Sequence, residues 1–211
     1  MFVLVNLWLF ACSSEVDNKP SAEVKDVPAQ AEEVKPQKQI ANEMKKASDV
    51  PATDAKGDTW KMAQGSTLAF VGAKVTGDHS GGFKGIDGAV SVADNAVTSV
   101  ELTIDMGTTF ADHPKLEAHL KNPDFFNVVE FPTATFKSSQ IKDGKITGIL
   151  TLIGNSKEVT FPAEVLVADG KASIKGEFTI NRKVWGIEYP GKPDDLIKDE
   201  VLIKADMSFA L

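Results

Sequence analysis

Few residues of this 211-residue chain have the type and spacing that chemistry requires. GDHSGG, residues 77–82, sets a serine among glycines with His79 beside it, a setting that could present a nucleophilic hydroxyl. A triad also needs a base and an orienting acid aimed at that hydroxyl. Neither His113 nor His119 sits in a motif that would supply them. His113 and Glu117 are four apart, a usable metal-ligand pair on a helix, but no third ligand is spaced to join them, and His119 is rotated well away. GKPDD, residues 191–195, lacks the glycine spacing of a phosphate-binding loop and the Ser or Thr after Lys192. The carboxylates are scattered rather than paired. No catalytic residue, metal site or cofactor is predicted.

Cys12 is the single cysteine, and its place is informative. It follows the uncharged apolar run MFVLVNLWLFA, which reads as a secretory signal peptide over residues 1–11. Leu9, Phe10 and Ala11 before it are similar to a bacterial lipobox, which implies lipidation of Cys12 and anchoring to a membrane. Ser13 and Ser14 lack the Asp that retains such proteins at the inner membrane, so an outer-membrane or periplasmic location in the cell envelope is expected. A net charge of −7 argues against nucleic acid as a partner.

The elements that must position any site change character along the chain. Residues 12–57 are rich in Glu, Lys, Ala, Pro, Gln and Val and carry no aromatic residue, too little apolar surface to offset chain entropy. They are expected to be a disordered tether of about 45 residues, spanning on the order of 35–40 Å. After Asp58 the period becomes two. VELTIDM aligns Val100, Leu102, Ile104 and Met106 on one face. VTFPAEVLV, KASIKGEFTI and VLIKADMSFAL repeat the alternation, as antiparallel strands with one dry face do. ADNAV, KDGK and ADGK supply turn residues between them. About eight such strands predict an all-β domain over residues 58–211, a sandwich or a closed barrel. Asp112 as N-cap and Pro114 near the start predict one short inserted helix over 113–121, buried on Leu116 and Leu120.

A sheet with one continuous dry face must be covered or close on itself, and an eight-stranded barrel has room for packed side chains or one small ligand. Phe70, Phe83, Phe136, Phe161, Phe178 and Trp185 would give such an interior broad apolar walls.

Five blocks, VGAKVTGDHSGGF, LEAHLKNPDFFNVVEFPTATF, GKITGILTLIGNSKEVTF, FTINRKVWGI and IKDEVLIKADMSF, stand in an order that resembles the YceI-like, polyisoprenoid-binding family across residues 58–211. The resemblance implies an elongated antiparallel barrel of lipocalin-like shape that is exported, is not an enzyme, and holds an isoprenoid or similar long-chain lipid in its lumen. The ligand-binding residues would be Phe70, Leu102, Ile104, Phe136, Leu150, Leu152, Phe161, Phe178, Ile180 and Trp185 on the walls. Phe125 and Phe126, at the end of the inserted helix, would cap one mouth, one ring facing the lumen and the other sealing the cap. His79 and Arg182 would meet a polar head group. In this pattern Asn155 and Ser156 should lie in a hairpin, and the sequence of the EYPGKPDDLIK loop is free to vary. The competing expectation is a surface-displayed structural or adhesion module whose barrel core is filled. A third, an enzyme acting on lipid or envelope polymer, would need a polar cluster inside the barrel that the sequence does not show.

Overall fold

A computed structural model describes residues 14–27 and 57–211. Its strands are β1 (Glu23–Asp26), β2 (Asp58–Met62), β3 (Thr67–Lys74), β4 (Gly77–Ala93), β5 (Ala96–Ala111), β6 (Thr133–Lys142), β7 (Lys145–Leu152), β8 (Asn155–Pro162), β9 (Glu164–Ala168), β10 (Lys171–Asn181), β11 (Gly191–Lys192) and β12 (Asp195–Ala210). One helix, α1 (Pro114–Leu120), lies between β5 and β6. The ladders between named strands are antiparallel, and the wall runs β8-β7-β6-β5-β4-β2/β3-β12-β10, eight positions in all. Strands β2 and β3 share one of them, both lying between β4 and β12. The all-β barrel with one short helix expected from the period-two pattern is the observed architecture.

At one end, β4–β5, β6–β7 and β9–β10 turn through Asp94–Asn95, Asp143–Gly144 and Asp169–Gly170. All six residues have positive φ, between 51° and 70°. Two-residue turns of this hand match the strand twist, and Asp, Asn and Gly tolerate them at least cost. Asn155 and Ser156 lie in the β7–β8 hairpin, as expected. Its turn is Ile153–Gly154, with Ile153 at φ 43°, while Asn155 already begins β8. The Asn155 side-chain Nδ2 donates to the Trp185 carbonyl at 2.8 Å.

The helix is displaced by one position at its start. His113, not Asp112, is the N-cap, its Nδ1 accepting from the Lys115 amide at 3.2 Å. Asp112 is taken by β4, accepting from the Ser80 amide at 3.0 Å and lying 3.0 Å from His79 Nδ1. Leu120 is buried and Leu116 half-buried, as the four-residue spacing requires.

The largest departure lies in the N-terminal segment. The signal peptide, Cys12 and residues 28–56 of the expected tether fall outside the described residues, but residues 14–27 are packed on the barrel. Glu15–Asn18 form a 3-10 turn with Ser14 as N-cap. Val16 is buried against Val71, Ala73 and Leu202, an apolar patch on the outside of β3 and β12. Asp17 pairs with Lys198 at 2.6 Å, Asp26 with Lys157 at 2.6 Å, Glu15 with Lys204 and Lys19 with Glu177. The chain then enters a seam. Because β8 and β9 form a strand kinked at Ala163, β9 follows β10 near the turns while β8 stays with β7. The opening between β8 and the far half of β10 is filled by residues 20–26. The Ala22 amide donates to the Thr179 carbonyl at 2.8 Å, the Thr179 amide to the Pro20 carbonyl at 2.9 Å, and β1 pairs with β8. Ala22 and Val24 face the core. Single apolar residues and matched charges hold the segment, neither of which a composition argument detects.

A one-ended apolar cavity as the candidate functional site

The lumen is filled at one end and open at the other. Beside the three Asp turns, Trp60, Val90, Val92, Val97, Ala172 and Phe209 pack into a closed core. Toward α1 the interior is a cavity of about 410 Å³, within the size range of small-molecule sites. Its walls come from inward positions of β3, β4, β5, β6, β7, β8, β10 and β12, since alternate residues of a strand share one face.

The rings form three tiers. Phe161 and Phe178 stack at 4.2 Å between centroids, and Phe136 lies 5.6 Å from Phe161. Above them Phe70, Phe83 and Phe126 surround the throat, 5.7 to 6.4 Å apart. At the cap, Phe125 meets His119 at 5.0 Å and Tyr189 at 5.2 Å. The glycines of GDHSGG are explained here: Gly81 pairs with Phe70, and a Cβ on it would stand 2.4 Å from that ring and 2.5 Å from the Phe110 carbonyl oxygen. The motif makes room for an aromatic wall.

Of the residues expected on the lumen, Phe70, Leu102, Ile104, Phe136, Leu150 and Leu152 line the cavity. So do Phe161, Phe178, Ile180, Phe125, Phe126, His79 and Arg182. Both cap rings border it, Phe126 in the throat beside Phe70 and Phe83 and Phe125 at the cap against His119 and Tyr189. Trp185 does not line it. It lies fully buried in the 3-10 turn Arg182–Trp185, and its indole donates to the Leu150 carbonyl at 3.3 Å. A short turn after β10 takes this residue out of the strand alternation and into the packing behind the wall.

The sequence reading missed Ile187, Tyr189, Lys192, Asp195 and Ile197, which bring the 186–198 loop onto the cavity. That loop is pinned in place by Arg182. Arg182, 4% exposed, donates from Nη1 to the Ile187 carbonyl at 2.6 Å and from Nε to the Lys198 carbonyl at 3.1 Å. Burial lowers its pKa from the usual guanidinium value, and nearby Asp199 opposes that shift. Its Nη2 has no hydrogen-bond acceptor and lies 3.5 Å from Asp199. The signal available in the sequence was Ile187–Glu188–Tyr189, apolar positions two apart after the last clear strand.

Polar groups gather at the mouth. Lys74 binds Asp195 at 2.6 Å, and Thr76 donates to Asp195 from its amide at 3.1 Å and its hydroxyl at 2.9 Å. The lysine bond, against some burial and with help from Thr76, holds the Asp195 carboxyl below the usual carboxylate range. Burial works against Asp112 in the same way, but the Ser80 amide and His79 leave its pKa lowered. Each carboxylate has a local partner, and among the described residues no three His, Cys, Asp or Glu side chains are grouped to hold a metal ion.

An antiparallel barrel whose seam is closed by residues 20–26, plugged at one end and hollow and apolar at the other, defines the class: a lipocalin-like barrel with an internal cavity. The model of the YceI-like domain matches residues 60–209, and the chain belongs to that family. It is 33% identical over 121 residues to a UPF0312 protein of Pseudomonas aeruginosa, covering 51% of this chain and 63% of the relative. It is 37% identical over 92 residues to the protein YceI of Escherichia coli, covering 41% of this chain and 48% of the relative. The matches thus span less than two thirds of those relatives. Among solved structures it resembles Burkholderia cenocepacia BcnA, with a TM-score of 0.61 and 24% identity over 68% of this chain and 95% of the other. It also resembles a polyisoprenoid binding domain from Saccharophagus degradans implicated in plant cell wall breakdown, with a TM-score of 0.60 and 15% identity over 74% and 99%. At these identities the structural likeness establishes the fold.

Proposed function

We propose that the protein binds a long apolar chain, an isoprenoid or similar lipid, in the barrel cavity, and carries or sequesters it without catalysis at the cell envelope. The observation that carries this reading is the blind cavity of about 410 Å³, ringed by aromatic and aliphatic side chains with polar groups only at its mouth. Such a shape takes a ligand tail-first and leaves a head group near His79, Arg182, Lys192 and Tyr189. Each square ångström of apolar surface withdrawn from water contributes about 25 cal/mol, less the cost of ordering the chain. The Saccharophagus degradans neighbour, a polyisoprenoid binding domain, supports the ligand class by analogy of fold. Export through the signal peptide at residues 1–11 and lipidation at Cys12, with an outer-membrane or periplasmic location, belong to the same reading. A displayed module with a filled core is the poorer account, because the upper half of the lumen is unfilled.

Native mass spectrometry of protein purified from cells is the test, followed by extraction and identification of what it carries. A co-purifying polyprenol, quinone or fatty chain is the expected result. Repeated recovery of empty protein that takes up none of these in solution would overturn it. Separately, Cys12→Ala should shift the protein from the membrane to the soluble fraction.

A further inference from the structure

Ser14 binds the barrel at the mouth. Its hydroxyl donates to Asp78 Oδ2 at 3.1 Å, and the Glu15 amide lies 3.4 Å from the same oxygen. Asp78 follows the tip of the β3–β4 hairpin, and that tip carries Val75, 73% exposed. The Val75 amide donates to the Leu196 carbonyl at 3.2 Å, and Leu196, on the neighbouring β11–β12 hairpin, is 51% exposed. Two exposed aliphatic residues thus sit on adjacent hairpins at the rim of an apolar cavity, and Lys74 and Asp195, their neighbours in the chain, are paired with each other. Cys12 is joined to Ser14 by two peptide units, which reach at most about 7 Å. An acyl chain on Cys12 would therefore enter a bilayer beside the cavity mouth, not at the end of a long leash.

We propose that Val75 and Leu196 form a membrane-docking tip that seats the cavity mouth on a phospholipid bilayer, so that lipid passes between bilayer and barrel without crossing water. The proposal rests on the lipid-binding reading and on the anchor at Cys12, and adds an orientation to them. Neither Val75 nor Leu196 lines the cavity, so changing them leaves the binding walls intact.

The test uses the acylated protein reconstituted in phosphatidylcholine vesicles that carry nitroxide lipids, with an environment-sensitive dye on Val75→Cys or, as the control, on Leu166→Cys. Leu166 is an equally apolar, 55% exposed position on β9, toward the filled end. The dye at 75 should be quenched and blue-shifted and the dye at 166 unchanged. Equal responses, or a response at 166 alone, would overturn the proposal. If the chain purifies without acylation, the same dyes are read after adding the vesicles, and an unmoved signal at 75 is equally fatal. The doubly substituted Val75→Asp, Leu196→Asp protein should load the same amount of polyprenol at equilibrium but transfer it to vesicles about tenfold or more slowly. Unchanged transfer rates count against the docking tip alone. Absence of bound polyprenol in either protein counts against the lipid-binding reading instead.

Discussion

The two ends of the barrel use the same strands and the same alternation, yet one is solid and the other hollow. At the filled end, Trp60 on β2, Phe209 on β12 and the valines of β4 and β5 meet across the lumen, and Phe209 is wholly buried. At the hollow end the rings of Phe70, Phe83 and Phe126 stand around the space without crossing it, and α1 with the 186–198 loop covers them from outside. Inward-facing apolar residues therefore say where a wall is. Whether the wall encloses packing or space depends on which side chains reach across.

Phe209→Ala should break that comparison most severely. Truncating a fully packed ring costs roughly 3–5 kcal/mol, read as a lower midpoint in urea. Phe126→Ala at the throat should cost less, because part of that ring faces open space and has no partner atoms there to lose. It should instead reduce lipid loading measured by native mass spectrometry. Equal losses of stability at both positions would mean that the cavity closes in solution.

The contrast also marks what the sequence made legible. The period-two runs gave the strands, and the Asp-centred pairs gave three of the turns, because both signals are local. The positions of Leu102, Ile104, Phe136, Phe161 and Phe178 on the inner face followed from alternation alone. Trp185 did not, since its 3-10 turn leaves the alternation. The N-terminal segment was misread for a different reason. Its docking rests on Val16, Ala22 and Val24, too few apolar residues to register in composition, and on charges whose partners lie far along the chain. Strand β1 exists only because the seam between β8 and β10 is there to receive it.

A third substitution sharpens the difference between the barrel wall and the strap formed by residues 14–27. Val16→Asp places a charge in the patch formed by Val71, Ala73 and Leu202. It should cost on the order of 2 kcal/mol of docking, seen as faster hydrogen exchange at the Ala22 and Thr179 amides that bridge the seam. The global unfolding midpoint should move far less than for Phe209→Ala. If both midpoints fall together, the strap is part of the core and the seam cannot open by itself.

The smallest effect concerns the charges that flank the strap, and its sign follows from the direction of their shifts. Lys198 lowers the pKa of Asp17 chiefly by hydrogen bonding, Lys157 does the same for Asp26, and Lys19 for Glu177. A carboxylate whose folded pKa lies below its free value stabilises the docked state fully above that free value, about 3.9 for Asp and 4.3 for Glu. The contribution is lost as pH falls through the lower, folded value. Lys19 is shifted the other way, raised by its bond to Glu177, so its contribution holds below its free pKa and is lost only in strong alkali. The strap should therefore stay docked from pH 5 to about 9 and loosen below about pH 4. Methyl NMR signals of Val16 and Ala22 should report this loosening while those of Val90 and Ile146, deep in the wall, stay fixed. Because these ion pairs are solvent-exposed, added salt should weaken the strap slightly at neutral pH as well. A strap indifferent to both acid and salt would assign its attachment to Val16 and the seam hydrogen bonds alone, leaving its ion pairs as surface decoration.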